Sequence, residues 1–204
     1  MSIQREMERV VLKYVPRPAT FIDVGVGFKS EATSISTAAP GVRVIGIEPI
    51  EENLNRAKKA GVFDVLLHAA VAATPGELTL YHGATPPSGG VNASAHIKQG
   101  RSYSVPALTL DSIAEDYDIA GPAILWMDIE GFELEALKGA RNLLSSGVVR
   151  AINLEVHDVP KTKEWCSKED LDSFLTAYGY REVLRYNKHA KPPHWDSIYT
   201  KTGV

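Results

Sequence analysis

Short apolar runs alternate along the chain with segments whose apolar residues recur three or four positions apart. The apolar runs have the length of buried strands and occupy residues 21–24, 42–47, 63–67, 123–127 and 149–156. The segments predicted as helices occupy residues 29–38, 50–60, 134–147 and 167–177. Strand and helix therefore alternate, which is typical of βαβ units with parallel strands.

The alternation is interrupted in the middle of the chain and near its end. Residues 77–81 alternate like a strand, and the Gly- and Pro-rich residues 83–90 after them predict a hairpin that leads into a loop. Residues 91–101 show no apolar stripe, so we predict a mobile loop that could cover the site. Residues 104–108 are predicted to return as an edge strand, and residues 187–194 to connect the last two strands.

The first strand is followed by a turn that contains two glycines, Gly25 and Gly27. Without a Cβ at these positions the backbone can pass close to a ligand, although a plain strand-to-helix turn would also use them. Asp23 and Glu48 fall at the carboxyl ends of neighbouring strands in a right-handed βαβ unit. A carboxylate at the tip of the second strand can accept hydrogen bonds from a ribose diol. This arrangement predicts an adenosine site.

The acid in front of the glycines indicates which adenosine cofactor fits. A dinucleotide site requires G-x-G-x-x-G at the start of a helix, whereas this turn contains Asp23, Gly25 and Gly27. A carboxylate there repels a pyrophosphate but suits the amino group and the sulfonium of S-adenosylmethionine. Small residues after the third strand, Ala70 among them, could let the adenine ring lie against the backbone, with a plain buried turn as the alternative.

The composition is that of an ordinary soluble globular protein. The chain has 204 residues, of which 44% are hydrophobic and 23% charged, and no apolar run reaches the roughly 20 residues of a membrane span. We predict an N-terminal helix and linker over residues 1–18 and a single domain over residues 19–204. The first helix does not have the pattern of a signal peptide, so we expect a cytoplasmic protein. A formal net charge of -3 gives no reason to expect nucleic acid as a partner.

Three features together resemble the FkbM-type methyltransferases, which depend on S-adenosylmethionine. They are Asp23-Val-Gly-Val-Gly27, Glu48, and the stretch over residues 126–140 with Asp128-Ile-Glu-Gly-Phe-Glu133 followed by Leu137-Lys-Gly139. The last of these resembles the family pattern I-D-V-E-G-x-E-x-x-V-L-x-G, and Leu154-Glu-Val-His157 resembles the hydrophobic-Glu-x-His stretch downstream. The resemblance covers about residues 20–200.

The resemblance implies an α/β fold of the Rossmann-like class I methyltransferase kind. This fold has a seven-stranded, mostly parallel sheet with an antiparallel last strand and helices on both faces. The resemblance also implies methyl transfer, in family members mostly to a hydroxyl oxygen, so we expect a small-molecule or glycan acceptor. The chain departs from the family turn D-x-G-A-N-x-G, because Gly27 stands where Asn is usual and Lys29 where the last Gly is usual.

An alcohol is a weak nucleophile at neutral pH, so methylation of a hydroxyl requires a base or a metal ion. His157 is the candidate base, because it ends a predicted strand where its imidazole would face the cofactor. Asp128, Glu130 or Glu155 could orient that imidazole. Alternatively, these four side chains could hold a Mg²⁺ that lowers the pKa of the hydroxyl. Asp128 is also predicted to bind the cofactor.

Two further acids follow the strand that ends before Asp128. Glu133 and Glu135 are predicted to lie in the first turn of the next helix, where negative charge favours the helix dipole. Glu133 also belongs to the family pattern, so the helix-dipole role is less clear for it than for Glu135.

The sequence supports two functions of different classes. The first is O-methylation of a hydroxyl on a sugar, glycan or small metabolite. The second, suggested by the altered glycine turn, is a non-catalytic or NAD-type nucleotide-binding domain. The sequence leaves the acceptor and the oligomeric state open, with a homo-oligomer as one option.

Overall fold

The computed structural model describes residues 3–27, 30–82, 93–94, 102–157, 167–190 and 193–203. Lys29 and most of the predicted loop over residues 83–101 lie outside these ranges. His157 ends a described strand, but its side chain is outside the described part of the chain.

Helices and strands follow one another through the described residues. The helices are α1 (Ile3–Tyr14), α2 (Ala32–Ala38), α3 (Glu51–Ala60), α4 (Leu110–Asp116), α5 (Glu133–Lys138), α6 (Arg141–Ser145) and α7 (Lys168–Ala177). The strands are β1 (Thr20–Val24), β2 (Arg43–Ile47), β3 (Val65–Leu67), β4 (Ala70–Val71), β5 (Gly76–His82), β6 (Ala93–Ser94), β7 (Ser102–Leu108), β8 (Ala123–Met127), β9 (Val149–His157), β10 (Tyr180–Ala190) and β11 (Pro193–Lys201). None of these helices is long and apolar enough to cross a lipid bilayer.

The main sheet has seven strands in the order β10-β11-β9-β8-β1-β2-β3. Strand β1 pairs in parallel with both β2 and β8, and β8 pairs in parallel with β9. Strand β11 is antiparallel to both of its neighbours, β9 and β10, so six strands run one way and the last runs against them. The predicted fold, a mostly parallel sheet with a reversed last strand, is confirmed.

Two apolar cores cover the two faces of this sheet. In β1, Ile22 and Val24 belong to one core and Phe21 to the other, because side chains of a strand alternate between faces. The larger core packs against α4 to α7, and the smaller one against α1 and α2. Each fully buried Ile or Leu stabilises the fold by about 1.5–3 kcal/mol, so both helix layers are held mainly by apolar burial.

A second sheet of four strands, in the order β4-β7-β5-β6, stands beside the main one. The strand predicted over residues 77–81 is confirmed as β5, which pairs antiparallel with β6 and β7. The prediction of an edge strand over residues 104–108 is wrong, because β7 lies between β4 and β5. Strand β7 is interior because β4 pairs with its outer side. Strand β4 has two residues and is too short to be recognised from the sequence.

Two helices differ from the predicted ones for local reasons. Helix α2 starts at Ala32, because the Ser30 hydroxyl accepts the Ala32 N–H and fixes the backbone just before it. The segment predicted as one helix over residues 134–147 is divided into α5 and α6 at Gly139. A Cβ at Gly139 would lie 2.2 Å from the Ala72 carbonyl oxygen, so this break packs closely against the chain after β4.

The last two strands form a longer hairpin than the sequence indicates. Residues 187–194 were expected to connect them, whereas β10 extends to Ala190 and β11 begins at Pro193. The pairing with β11 extends to the end of β10, where Ala190 lies opposite Pro193. Cross-strand hydrogen bonds therefore override the weak strand propensity of this polar stretch.

Candidate active site

A cavity of about 200 Å³ opens at the carboxyl edge of the main sheet. It lies where β1 and β8 meet, which is the point where the strand order reverses in sheets of this topology. Its walls come mainly from the turns that follow the parallel strands. The lining residues are Val24, Gly25, Val26, Gly27, Glu31, Ile47, Glu48, Pro49, Ile50, Asn53, Ala69, Ala70, Val71, Leu78, Leu80, Asp128, Ile129, Glu130 and Phe132.

The glycine turn after β1 forms one wall, and its two positions require glycine for different structural reasons. Both lie in the left-handed region, with φ of +82° at Gly25 and +58° at Gly27. A Cβ at Gly25 would lie 2.2 Å from the Asp128 carbonyl oxygen, whereas at Gly27 the nearest atom would be 3.7 Å away. Gly25 therefore allows the β1 and β8 turns to touch. Gly27 leaves open space at the cavity.

Glu48 follows β2 and holds two parts of the cavity wall together. Its Oε2 accepts the Gly27 N–H at 2.7 Å, and its Oε1 accepts the Ile50 N–H at 2.7 Å. Burial raises the pKa of Glu48, and the hydrogen bonds that it accepts oppose this rise. A carboxylate oxygen can accept more than one hydrogen bond, so Glu48 keeps acceptor capacity toward a ligand.

Asp23 lies underneath the glycine turn and is not among the residues that line the cavity. Its side chain is 1% exposed and accepts a hydrogen bond from the Ser30 hydroxyl. Burial is the main cause that raises the pKa of Asp23 to about 7; the Ser30 hydrogen bond opposes it and the charge of Glu48 adds to it. Asp23 therefore braces the entry to α2, and its predicted contact with a cofactor stays a prediction.

The turn after β8 forms the opposite wall. Asp128, Ile129, Glu130 and Phe132 line the cavity from this turn, and Glu130 adopts a left-handed φ of +55° that is unusual for a residue other than glycine. The N–H of Asp128 donates to the Val24 carbonyl at 3.1 Å, which aligns the turn with β1.

Glu133, the first residue of α5, is buried behind this turn with 1% exposure. Its Oε1 accepts the N–H of Ile129 at 3.2 Å and the N–H of Gly131 at 3.4 Å. Burial and, less strongly, the charge of Glu155 raise the pKa of Glu133 to about 8. The predicted place in the first helical turn is confirmed, and the side chain lies on the buried face of α5 that also carries Ala136 and Leu137.

The remaining predicted site residues lie near the end of β9. Glu155 is 7% exposed, lies opposite Asp196 of β11, and is not among the cavity-lining residues. The backbone of His157 lies opposite that of His194 at the end of the same strand pair. Among the side chains that the structure describes, no three acids, histidines or cysteines are grouped so that they could hold a metal ion.

The structure thus gathers six of the predicted site residues around one cavity. They are Gly25, Gly27, Glu48, Ala70, Asp128 and Glu130. Leu78 and Leu80 bring the second sheet to the cavity and were not predicted as site residues. Their alternation along β5 was visible in the sequence, but nothing in that pattern shows which partner the apolar face of β5 would meet.

The cavity carries negative charge from several directions. Four carboxylates line it, those of Glu31, Glu48, Asp128 and Glu130. The described lining residues include no lysine, arginine or histidine. A cation or a neutral hydrogen-bond donor is therefore favoured in the cavity over an anion.

The family model for the methyltransferase FkbM domain matches residues 23–182, which is most of the chain. The chain belongs to the FkbM methyltransferase family. The family match includes the glycine turn, Glu48, the turn after β8 and β9, so all the main walls of the cavity lie inside the FkbM domain.

A curated relative similar to this FkbM domain is the hexuronic acid methyltransferase AglP of Haloferax volcanii. The two are 23% identical over 158 residues, which is 76% of this chain and 62% of the relative. The chain thus spans less than two thirds of that relative's length.

Solved structures show the same fold. The magnesium protoporphyrin IX methyltransferase of Synechocystis with bound SAM matches 98% of this chain and 79% of its own, with a TM-score of 0.54 and 13% identity. The 1,6-didemethyltoxoflavin-N1-methyltransferase of Burkholderia thailandensis matches 98% of this chain and 78% of its own, with a TM-score of 0.50 and 14% identity. At such identities the likeness concerns the fold alone.

Proposed function

We propose that this protein is an S-adenosylmethionine-dependent methyltransferase, most simply one that methylates a hydroxyl. The observation that carries this proposal is the cavity lined by four carboxylates without a basic side chain among its described residues. S-adenosylmethionine carries a sulfonium, an ammonium and one carboxylate, so it brings a net positive charge into such a site. A unit charge about 4 Å from a carboxylate interacts with it by about 4 kcal/mol at an effective dielectric constant of about 20.

The cavity supports a specific placement of the cofactor. Glu48 would accept hydrogen bonds from the ribose, and Ala70 on β4 would lie against the adenine. The methionine part would extend past Gly25 and Gly27 toward Asp128, whose carboxylate would attract the ammonium group. This placement uses each of the cavity-lining residues that are predicted to bind the cofactor.

A dinucleotide cofactor fits the same cavity less well. Its pyrophosphate would have to lie near the start of α2, where Glu31 occupies the N-cap position and lines the cavity. Negative charge at that position repels a phosphate, and α2 has only 7 residues, so its dipole offers little compensation.

Methyl transfer to a hydroxyl requires that the acceptor loses its proton as the oxygen attacks the methyl carbon. The bond from sulfur to that carbon breaks, S-adenosylhomocysteine leaves, and a base keeps the proton. We propose His157 as this base, with Glu155, two residues before it on β9, as a group that orients it. The alternative route through a Mg²⁺ lacks support, because the described side chains of Asp128, Glu130 and Glu155 are not grouped so that they could hold a metal ion.

The acceptor class that we propose is a sugar, a glycan or a small metabolite. The support is the similarity to a relative that is a hexuronic acid methyltransferase. Screening of labelled methyl transfer against sugars, uronic acids, glycolipids and phenols tests this proposal. Labelling confined to nitrogen acceptors or to nucleic acid would contradict it.

Calorimetric titration tests the cofactor. We expect S-adenosylhomocysteine to bind and NAD to give no response, and the reverse would contradict the proposal. Glu48→Ala should weaken binding about tenfold or more, because each lost hydrogen bond to a charged group is worth about 1.5–3 kcal/mol. The matched control is Glu51→Ala, which removes an exposed carboxylate from the first turn of α3 and should not change binding.

Turnover of the identified acceptor tests the base. His157→Ala should keep the affinity for S-adenosylhomocysteine and lower kcat about 100-fold or more, as expected when a general base is lost. A variant with unchanged kcat would remove His157 from this role. Restoration of kcat by added imidazole would strengthen the assignment.

A further inference from the structure

The turn over residues 128–132 brings two of the four carboxylates to the cavity in a conformation that needs support. Glu130 has a left-handed φ of +55°, and Gly131 after it has a φ of +94°. Residues with side chains leave this region unless the surrounding structure holds them there. Asp128 is an exposed residue, so it does not anchor the turn by burial.

Glu133 is placed to supply this support. Its buried Oε1 accepts the N–H of Ile129 and the N–H of Gly131, which flank Glu130 on both sides. One carboxylate oxygen therefore closes the turn around the residue with the unusual φ. Two backbone N–H groups behind the cavity would otherwise lack this acceptor.

We propose that Glu133 is a positioning residue that holds the Asp128–Glu130 carboxylates at the cofactor cavity through its hydrogen bonds to Ile129 and Gly131. This inference rests on the proposed function, because the carboxylates that Glu133 positions are those assigned to the cofactor and the acceptor. Glu133 itself is not among the lining residues, so it acts through the turn and does not touch the ligand.

The competing explanation is a helix-dipole role, which Glu133 and Glu135 would share as acids in the first turn of α5. Their surroundings differ. The Glu135 side chain is 37% exposed and bonds to Lys138, whereas Glu133 is buried and bonds to the turn. The raised pKa of Glu133 also supports the positioning role, because a protonated carboxyl accepts these hydrogen bonds but adds no charge to the dipole.

A pair of conservative substitutions separates reach from ionisation. Glu133→Asp keeps an ionisable carboxyl but is one methylene shorter, so it cannot reach both amides. Glu133→Gln does not titrate but keeps an acceptor oxygen at the same distance. We expect Glu133→Asp to weaken S-adenosylhomocysteine binding about tenfold, as two lost hydrogen bonds imply, and Glu133→Gln to recover most of that loss. Glu135→Gln, the matched control on the same helix, should bind like the wild type.

Amide hydrogen exchange gives a second readout that needs no ligand, and its first part needs only the wild type. The Ile129 and Gly131 amides should be protected in the wild type, and in Glu133→Asp they should exchange faster while the amides of β8 stay protected. If the wild-type amides lack this protection, the inference is overturned. This outcome can be measured even if Glu133→Asp does not fold.

The two proposals fail in different ways. A wild type that binds no S-adenosylhomocysteine contradicts the proposed function. A wild type that binds it, with Glu133→Asp unchanged or with Glu133→Gln as weak as Glu133→Asp, overturns only the role of Glu133.

Discussion

At the scale of single residues, the two glycines of the first turn look alike in the sequence, but the structure requires them for different reasons. Gly25 is required twice, by its φ of +82° and by the contact between its backbone and the Asp128 carbonyl. Gly27 is required only by its φ of +58°, since nothing crowds its missing Cβ. This explains how Gly27 can stand where family members usually have Asn, a residue that tolerates the left-handed region.

We predict that Gly25→Ala and Gly27→Ala differ strongly in stability. Gly25→Ala should lower the free energy of unfolding by about 3 kcal/mol or more, because the new Cβ overlaps backbone that cannot move away. Gly27→Ala should cost only about 1 kcal/mol, the cost of a left-handed residue with a Cβ. Urea denaturation of both variants measures the difference. Equal losses would contradict the asymmetry of the two positions.

At the scale of the elements, β9 contains one residue that does not fit its surroundings. Asn153 is 0% exposed between Trp126 on β8 and Ile198 on β11. Neither its amide nitrogen nor its amide oxygen has a hydrogen-bond partner among the described residues. A buried amide without partners destabilises the strand that carries it.

We predict that Asn153→Leu raises the free energy of unfolding by about 1–2 kcal/mol, because an apolar side chain of similar size removes the cost of the unsatisfied amide. Chemical denaturation of the variant measures this gain. Asn55→Leu, on the exposed side of α3, is the control and should change stability by less than about 0.5 kcal/mol. A loss of stability in Asn153→Leu would indicate that the amide has a partner, such as an ordered water.

The helix caps come from residues next to the helix in some cases and from a distant residue in another. The Thr109 side chain caps α4 by accepting the Ser112 N–H, and Ser167 and Asp170 form a capping box at α7, so these caps come from residues within three positions of each other. The start of α6 is instead capped by Asp111, whose carboxylate accepts the N–H groups of Asn142 and Leu143. That contact joins residues about thirty positions apart and has no local signature.

At the scale of the whole molecule, buried carboxyls link stability to pH. The pKa of Asp23 is raised from 3.8 to about 7, mainly by burial, so the folded state holds a proton that the unfolded state has released. The contribution of Asp23 to the free energy of unfolding is therefore largest below pH 3.8 and is lost as the pH rises to about 7. Glu133, with a pKa near 8, adds to this loss up to slightly alkaline pH.

We predict that stability falls less steeply between pH 4 and pH 7 in Asp23→Asn than in the wild type. The amide oxygen still accepts a hydrogen bond from the Ser30 hydroxyl. The amide does not titrate, so folding takes up no proton at this position. Thermal unfolding across this pH range measures the two slopes. Asp116→Asn, at an exposed position of α4, should follow the wild type, and a parallel decline in Asp23→Asn would show that other groups dominate.

The sequence by itself determined the order of the elements, the direction of the sheet and the family. These follow from local signals, since apolar periodicity, glycine turns and caps depend on neighbouring residues. The carboxylates were correctly expected at strand ends for the same reason, because a strand that ends in an acid brings that acid to the sheet edge.

Only the tertiary structure decided which carboxylate faces the cavity and which lies beneath it. Asp23 and Glu48 both belong to the first βαβ unit, yet only Glu48 lines the cavity. Glu133 and Glu135 share one helical turn, yet only Glu133 is buried behind the cavity wall. Glu133 lies on the face of α5 that carries Ala136 and Leu137, and packing against the sheet buries that face. The Gly27 N–H that Glu48 accepts comes from a turn 21 positions away, so it reaches Glu48 only when the sheet is assembled.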